Sequence, residues 1–241
     1  MTRENKELAR FMSNKQNYLG VIAAALAGTT LCSVAVAQGV VYDNSLTPIN
    51  FVQPTPTGQT EFGDRINMAL PAGITGTTIT DFKFEYQGDP ALAANSGATM
   101  TLNIYDAGSN PAAKTAPANL LWSSTGQTIS VQPGSHTVDV SGLSVNAPGT
   151  ITWTVSFNNV PSANVANTGL LVYDPPTVGS SANDFWAKNA SGTWSVWQIQ
   201  NGAIPANFAA QVVAVPEPTT LTLGLVLGAG WLGFLGLKRR A

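Results

Sequence analysis

Charge is scarce in this sequence. Asp, Glu, Lys and Arg make up 10% of its 241 residues, against roughly 25% in an ordinary soluble domain. The charge it has is also segregated. Between Gln38 and Ala214 only Arg65, Lys83, Lys114 and Lys188 are basic, facing ten acidic residues, which leaves this stretch at −6. That balance argues against nucleic acid or an anionic membrane surface as its partner, since both need basic surface. Cysteine is nearly absent: Cys32 stands alone, so no disulfide framework can form within the chain. The middle of the chain must stand on its hydrophobic core, which its length permits. Histidine is limited to His136, which deprives His-based triads and His-rich metal sites of partners. His136 follows Gly134 and Ser135, a position expected to be a solvated turn. There is no phosphate loop, no dinucleotide fingerprint and no amphipathic helical stretch of useful length.

The two ends are where long apolar runs occur. At the N-terminus a basic region precedes an apolar run from Tyr18 to Leu31, then Ala35-Val36-Ala37 before Gln38. A small-x-small pattern after such a run predicts a secretory signal peptide over residues 1–37, cleaved after Ala37 by signal peptidase. Met12 is an alternative start, with Lys15 supplying the basic region. Leu31 stands before Cys32 where a lipoprotein signal needs a small residue. At the C-terminus, Thr219 to Leu237 is 19 residues without charge. As a helix it would span about 28 Å at roughly 1.5 Å per residue, close to the hydrocarbon thickness of about 30 Å. Lys238, Arg239 and Arg240 stop transfer and keep the end cytoplasmic. Both ends therefore predict one topology, with the middle of the chain outside the inner membrane.

Val215-Pro216-Glu217-Pro218, a transmembrane run and a terminal basic cluster resemble the PEP-CTERM sorting signal of Gram-negative bacteria, here over residues 215–241. The resemblance implies recognition by an exosortase, a membrane-embedded cysteine transpeptidase-like enzyme, and a setting of exopolysaccharide and biofilm matrix. The physics agrees with it. Pro216 and Pro218 keep the preceding backbone extended, leaving a handle that a membrane protease can reach. The middle region also resembles the body of other PEP-CTERM proteins, through Tyr42-Asp43-Asn44, the Asp174–Ser181 loop and a closing Asn207–Ala210 stretch. This second resemblance implies no particular activity.

Residues 38–214 alternate with period two. Phe82, Phe84 and Tyr86 alternate with Asp81, Lys83 and Glu85. Met100, Leu102 and Ile104 alternate with Thr101 and Asn103. Ile151, Trp153, Val155 and Phe157 alternate with Thr152, Thr154 and Ser156. Trp194, Val196 and Gln198 stand opposite Ser195, Trp197 and Ile199, and Phe208, Ala210 and Val212 close the series. These are half-buried antiparallel strands, separated by turn signals such as Gly88-Asp89-Pro90, Pro133-Gly134 and Pro148-Gly149. The fold class expected is all-β: an antiparallel β-sandwich, jelly-roll-like, flanked by the signal peptide and a single C-terminal transmembrane helix. Two long loops are expected, Asp106 to Asn119 and Pro175 to Asp184.

Three readings of function follow. The first is an exported, exosortase-sorted surface or matrix protein with a structural or adhesive role and no enzymatic activity. It would be held in the cell envelope by the C-terminal helix, or released from it. The second is a carbohydrate-binding module, with Trp186, Trp194 and Trp197 as stacking surfaces and Asp184 as a hydroxyl partner. Trp194 and Trp197 face opposite sides of their strand, so at least one belongs to the core. The third is a polysaccharide hydrolase using paired carboxylates, either Asp81 with Glu85 or Asp174 with Asp184. No cofactor is expected. Asp106-Ala107-Gly108-Ser109-Asn110 spaces oxygen donors as a calcium loop does, but it lacks the terminal bidentate glutamate; an ordinary Asp-Gly turn is the first reading, and calcium on an acidic extracellular sandwich is the alternative.

Overall fold

The structure, a computed structural model, describes residues 37–93, 95–107 and 116–217. Ala35, the expected transmembrane run, Pro218 and Lys238 to Arg240 lie outside the described residues, as does most of the expected signal peptide. Among the described residues there is no α-helix, and no helix long and apolar enough to cross a membrane.

The chain folds into two antiparallel sheets. One contains β1 (Gly39–Asp43), β2 (Pro48–Pro54), β4 (Gly76–Gly88), β8 (Gly134–Pro148), β10 (Gly169–Tyr173) and β14 (Ala210–Pro216). The other contains β3 (Gln59–Asn67), β5 (Thr99–Asp106), β6 (Leu120–Ser123), β7 (Ile129–Ser130), β9 (Thr150–Asn158), β11 (Ser180–Ser181), β12 (Phe185–Asn189) and β13 (Trp194–Trp197). The order in the larger sheet is β13-β12-β3-β9-β5-β6. In the smaller sheet, β4 pairs with β8 on one side and with β14 and β10 on the other. From β3 to β5 and again from β8 to β12, successive main strands switch sheets. Each therefore contributes one apolar face to a common core, the packing of a sandwich.

The period-two alternation explains that core. Phe82, Phe84 and Tyr86 of β4 face Trp153 of β9 and its neighbours, with ring centroids 5.3 Å apart for Phe82–Trp153 and 5.8 Å for Phe84–Trp153. Phe62, Phe185 and Phe208 meet edge to face at 5.5–6.1 Å, the geometry favoured by aromatic quadrupoles. All of these side chains are buried.

Two expectations are corrected. His136 lies in strand β8 opposite Tyr86, not in a turn. Its ring stacks on Tyr86 at 5.5 Å, with Nε2 3.0 Å from the Pro133 carbonyl oxygen. The strand begins at Gly134 because positive φ there turns the chain straight into the ladder. The Pro175–Asp184 stretch is not a free loop. Ser180 and Ser181 pair with β3, and Val178 bridges to Asp43.

The chain ends of the sandwich leave from one pole. Gly39 pairs with Ala214, and Pro216 with Thr77 at the start of β4. β4 and β9 then run to the opposite pole, where Gly88 pairs with Gly134 and Asn158 with Thr99.

Candidate functional site

The outer face of the larger sheet should, by alternation, be solvated. It is not. Thr152 and Thr154 are fully buried there, and Glu61, Asn103, Tyr105 and Trp186 are at most 7% exposed. The cause is curvature. β13 and β5 are four strand intervals apart, about 19 Å in a flat sheet at about 4.8 Å per interval. Yet the Tyr105 and Trp194 ring centroids, one from each of those strands, are 5.4 Å apart. The sheet must curl so that this face is concave. Gly63 lies where β3 and β9 approach closely on this face: a Cβ there would lie 2.0 Å from the Trp153 carbonyl oxygen on β9. Only glycine allows that approach.

A polar group lies under the aromatic rings. Glu61 stands opposite Lys188 in the β3–β12 ladder, and Lys188 Nζ is 3.4 Å from Glu61 Oε2 and 3.4 Å from the Tyr105 hydroxyl. The same ammonium sits 5.1 Å from the Trp194 ring centroid and 5.5 Å from that of Tyr105, a cation–π placement. Glu61 Oε1 accepts hydrogen bonds from Asn103 Nδ2, at 3.0 Å, and from Thr154 Oγ1. Asn103 Oδ1 in turn accepts from Ser123 Oγ at 2.6 Å. Burial, and then the neighbouring Glu61 carboxylate, push the Tyr105 phenol well above its usual range.

The tryptophans proposed for glycan stacking are divided by this geometry. Trp186 and Trp194 come together, edge to face at 6.5 Å, but Trp186 is buried. Trp197 faces the other way and packs against the core, its Nε1 donating to Ser195 Oγ at 2.8 Å. Asp184 is half-buried and interacts electrostatically with Arg65 and Asp64. Trp194 is therefore the one tryptophan of the three that is half-exposed on the concave face.

The candidate carboxylate pairs are each occupied by structural partners. Asp81 accepts from Gln38 Nε2 at 2.8 Å, and Glu85 from the Tyr173 hydroxyl at 2.7 Å. Asp174 accepts from Asn207 Nδ2 at 2.5 Å. Asp106 accepts from the Asn119 backbone and side-chain amides, while residues 108–110 of the candidate calcium loop lie outside the described residues. No group of three or more His, Cys, Asp or Glu suited to a metal occurs among the described residues.

Three stretches that are far apart in sequence form one clasp. Asn44 Nδ2 donates to the carbonyl oxygens of Tyr173 and Phe208 at 3.1 and 3.2 Å. Tyr173 N–H donates to the Asn207 carbonyl, and Thr177 N–H to that of Asp43. Gly179 packs so closely that a Cβ would lie 2.9 Å from the Tyr42 ring. The Tyr42-Asp43-Asn44, Asp174–Ser181 and Asn207–Ala210 stretches are thus a structural unit that pins the long loop. Under it, Asp64 is fully buried between the sheets. Both its carboxylate oxygens accept from Ser181 Oγ, at 2.7 and 2.8 Å.

Sequence reasoning did not find a cleft at the pole opposite the chain ends. It has a volume of about 270 Å³ and is lined by Gln59, Thr60, Phe157, Asn158, Asn159 and Thr168, among others. None of its lining residues is charged. Gln59 Oε1 is buried there without a hydrogen-bond partner.

Of the sorting motif, Val215 and Pro216 complete β14 opposite Thr78 and Thr77. Thr77 Oγ1 donates to the Val215 carbonyl at 2.8 Å, and Glu217 N–H to that of Gly76 at 3.3 Å. Ala37 and Gln38, at the expected cleavage point, are exposed beside this strand.

No family model matches the chain, and no curated protein is significantly similar to it. Among solved structures, it is similar to a chain of infectious bursal disease virus, Gt strain, with a TM-score of 0.26 and 10% identity over 76% of its own length. The Gx strain gives 0.22 at 11% identity, and a T13 IBDV viral particle 0.26 at 9%. This chain spans 36–40% of those chains. At such scores the likeness carries no argument here.

Proposed function

We propose that this protein is an exported surface or matrix protein with a structural or adhesive role and no enzymatic activity. In this reading signal peptidase releases the N-terminus at Gln38. The C-terminal segment holds the sandwich at the membrane, and an exosortase then acts at Val215-Pro216-Glu217-Pro218. The observation that carries the reading is the placement of the chain ends. Gly39 and Ala214 are paired neighbours, and the strand leads in extended form into the exposed Glu217. A domain whose two ends leave one pole presents the opposite pole outward when it is tethered there. The sheet-switching path of the strands fits the jelly-roll-like class expected from the sequence.

The test is the intact mass of the protein from membrane and matrix fractions of its own host. A product beginning at Gln38 and ending between Pro216 and Thr219 supports sorting. A product ending at Ala241 removes the exosortase step and leaves a membrane-anchored surface protein.

Carbohydrate binding is a second reading, favoured by the cleft at the outward pole. Its amide and hydroxyl lining beside the Phe157 ring suits a neutral polyhydroxylated ligand better than an ionic one. A glycan array comparing the native protein with Asn158→Ala, an exposed residue of the cleft lining, tests this reading. Trp197→Ala is the wrong probe, since that ring packs on the core.

A further inference from the structure

Lysine, asparagine and a bridging carboxylate on the concave face are the reactants and proton carrier of an amide-forming reaction. We propose that Lys188 and Asn103 become joined by an intramolecular isopeptide bond, formed by the protein itself with Glu61 as proton carrier.

The observation behind this is a carboxylate that contacts both reactants: Glu61 Oε2 takes Lys188 Nζ at 3.4 Å, and Glu61 Oε1 takes Asn103 Nδ2 at 3.0 Å. Nucleophile and electrophile are thereby brought together by a group able to move protons between them. The carbonyl oxygen of the same amide receives the Ser123 hydroxyl at 2.6 Å. A hydrogen bond aimed at that oxygen stabilises the negative charge that develops there during attack. A simple ion pair between Lys188 and Glu61 would need neither the amide nor that hydroxyl. Glu61 and Asn103 are 6% and 7% exposed, and the rings of Tyr105 and Trp194 flank the ammonium. Water, the competing nucleophile, is largely kept out.

The steps balance. Nζ passes one proton to Glu61 and becomes a neutral amine. Its lone pair attacks Asn103 Cγ, forming the Nζ–Cγ bond and a tetrahedral oxyanion opposite Ser123. Glu61 gives its proton to Nδ2 and takes one from Nζ. The Cγ–Nδ2 bond breaks and ammonia departs. Glu61 is left with one proton, which passes to the departing ammonia and makes ammonium. The net change is loss of one ammonia from the chain, with no oxidant, metal or cofactor. The product ties β12 to β5 across β3 and β9. It supplies a covalent staple to a domain that has no cysteine between Gln38 and Ala214. The proposal depends on neither export nor sorting.

The test is mass spectrometry of the folded full-length protein beside its Lys188→Arg variant, both purified and processed alike. The expected native mass is lower than the sequence mass by one ammonia, with a branched peptide joining Lys188 to Asn103 after digestion. Lys188→Arg and Glu61→Gln should show the full sequence mass. Asn103→Asp should lose water instead and reach the same final mass as the native protein, because both give one product. A native protein at full sequence mass, or a branch at another lysine, overturns the proposal. The native measurement is decisive by itself if a variant fails to fold.

Discussion

Among the described residues, a lysine–carboxylate pair stands on the outer face of each sheet, and these two pairs are opposites. Lys83 and Asp139, 3.0 Å apart on the smaller sheet, have side chains 41% and 50% exposed. Lys188 and Glu61, 3.4 Å apart on the larger sheet, are 28% and 8% exposed. The shorter contact is the weaker one energetically. In water the attraction is screened and ordering two side chains costs entropy, so an exposed pair is worth about 0–1 kcal/mol. Under the aromatic rings the Glu61 carboxylate has lost most of its hydration, and it depends on Lys188, Asn103 and Thr154. Distance alone does not rank these interactions; the curvature that buries one face and leaves the other open does.

Glu61→Ala is the sharpest way to break the contrast. It leaves Lys188 without its anion and takes the shared acceptor from Asn103 and Thr154 in a buried setting. Removing one partner of a buried pair costs about 3–5 kcal/mol. Chemical denaturation should show a loss of at least that order, since the variant also cannot form the Lys188–Asn103 bond, with the midpoint falling accordingly. A change within about 0.5 kcal/mol, typical of an open surface position, would mean that the concave face is solvated after all.

Part of this was legible beforehand. The strands holding Phe82 to Tyr86, Met100 to Ile104 and Ile151 to Phe157 announce themselves because period two is a local property. The same rule placed Trp194 and Trp197 on opposite faces, as the structure has them. Curvature is not local. Thr152 and Thr154 read as outward and solvated, which is right for a flat sheet. Their burial depends on the close approach of β3 to β9 at Gly63 and on Trp194 arriving from an edge strand. Glu61, Asn103 and Lys188 gave no sequence signal as a group, since three strands bring them together. The nearest hint was local: Lys188 and Trp194 lie across one short hairpin, as the turn at Ser191-Gly192 implies. The strand β8 was missed because its apolar positions are few and a bulge at Gly142 interrupts its alternation.

Asp64 extends the comparison to a buried carboxylate with no cation against it. Burial drives its carboxyl well above the usual range, and Asp184 adds to this. Hydrogen bonds from Ser181 and from the Phe208 and Arg65 backbone N–H groups oppose the shift without cancelling it. The folded state therefore holds this proton more tightly than the unfolded chain does. The associated stability is fully present below the unfolded value near 3.8 and is lost as pH rises through the folded value. Asp64→Asn keeps the shape of the protonated acid without the titration. Unfolding measured from pH 4 to pH 8 should show the native protein losing stability relative to this variant as pH rises. Parallel curves would mean that the carboxylate finds compensation in the folded state.

The smallest effect belongs to the open pair. Lys83→Met removes the ammonium from Asp139 but leaves that carboxylate half-exposed, so water replaces the lost partner. The aliphatic part of the side chain is kept, and β4 stays paired to β8 through its backbone. The expected change is about 0–1 kcal/mol and should shrink further as salt is added. The same titration with Lys188→Met should be far less sensitive to salt, because ions cannot reach under Tyr105 and Trp194. If both variants respond to salt alike, the two faces are electrostatically equivalent, and curvature does not separate them.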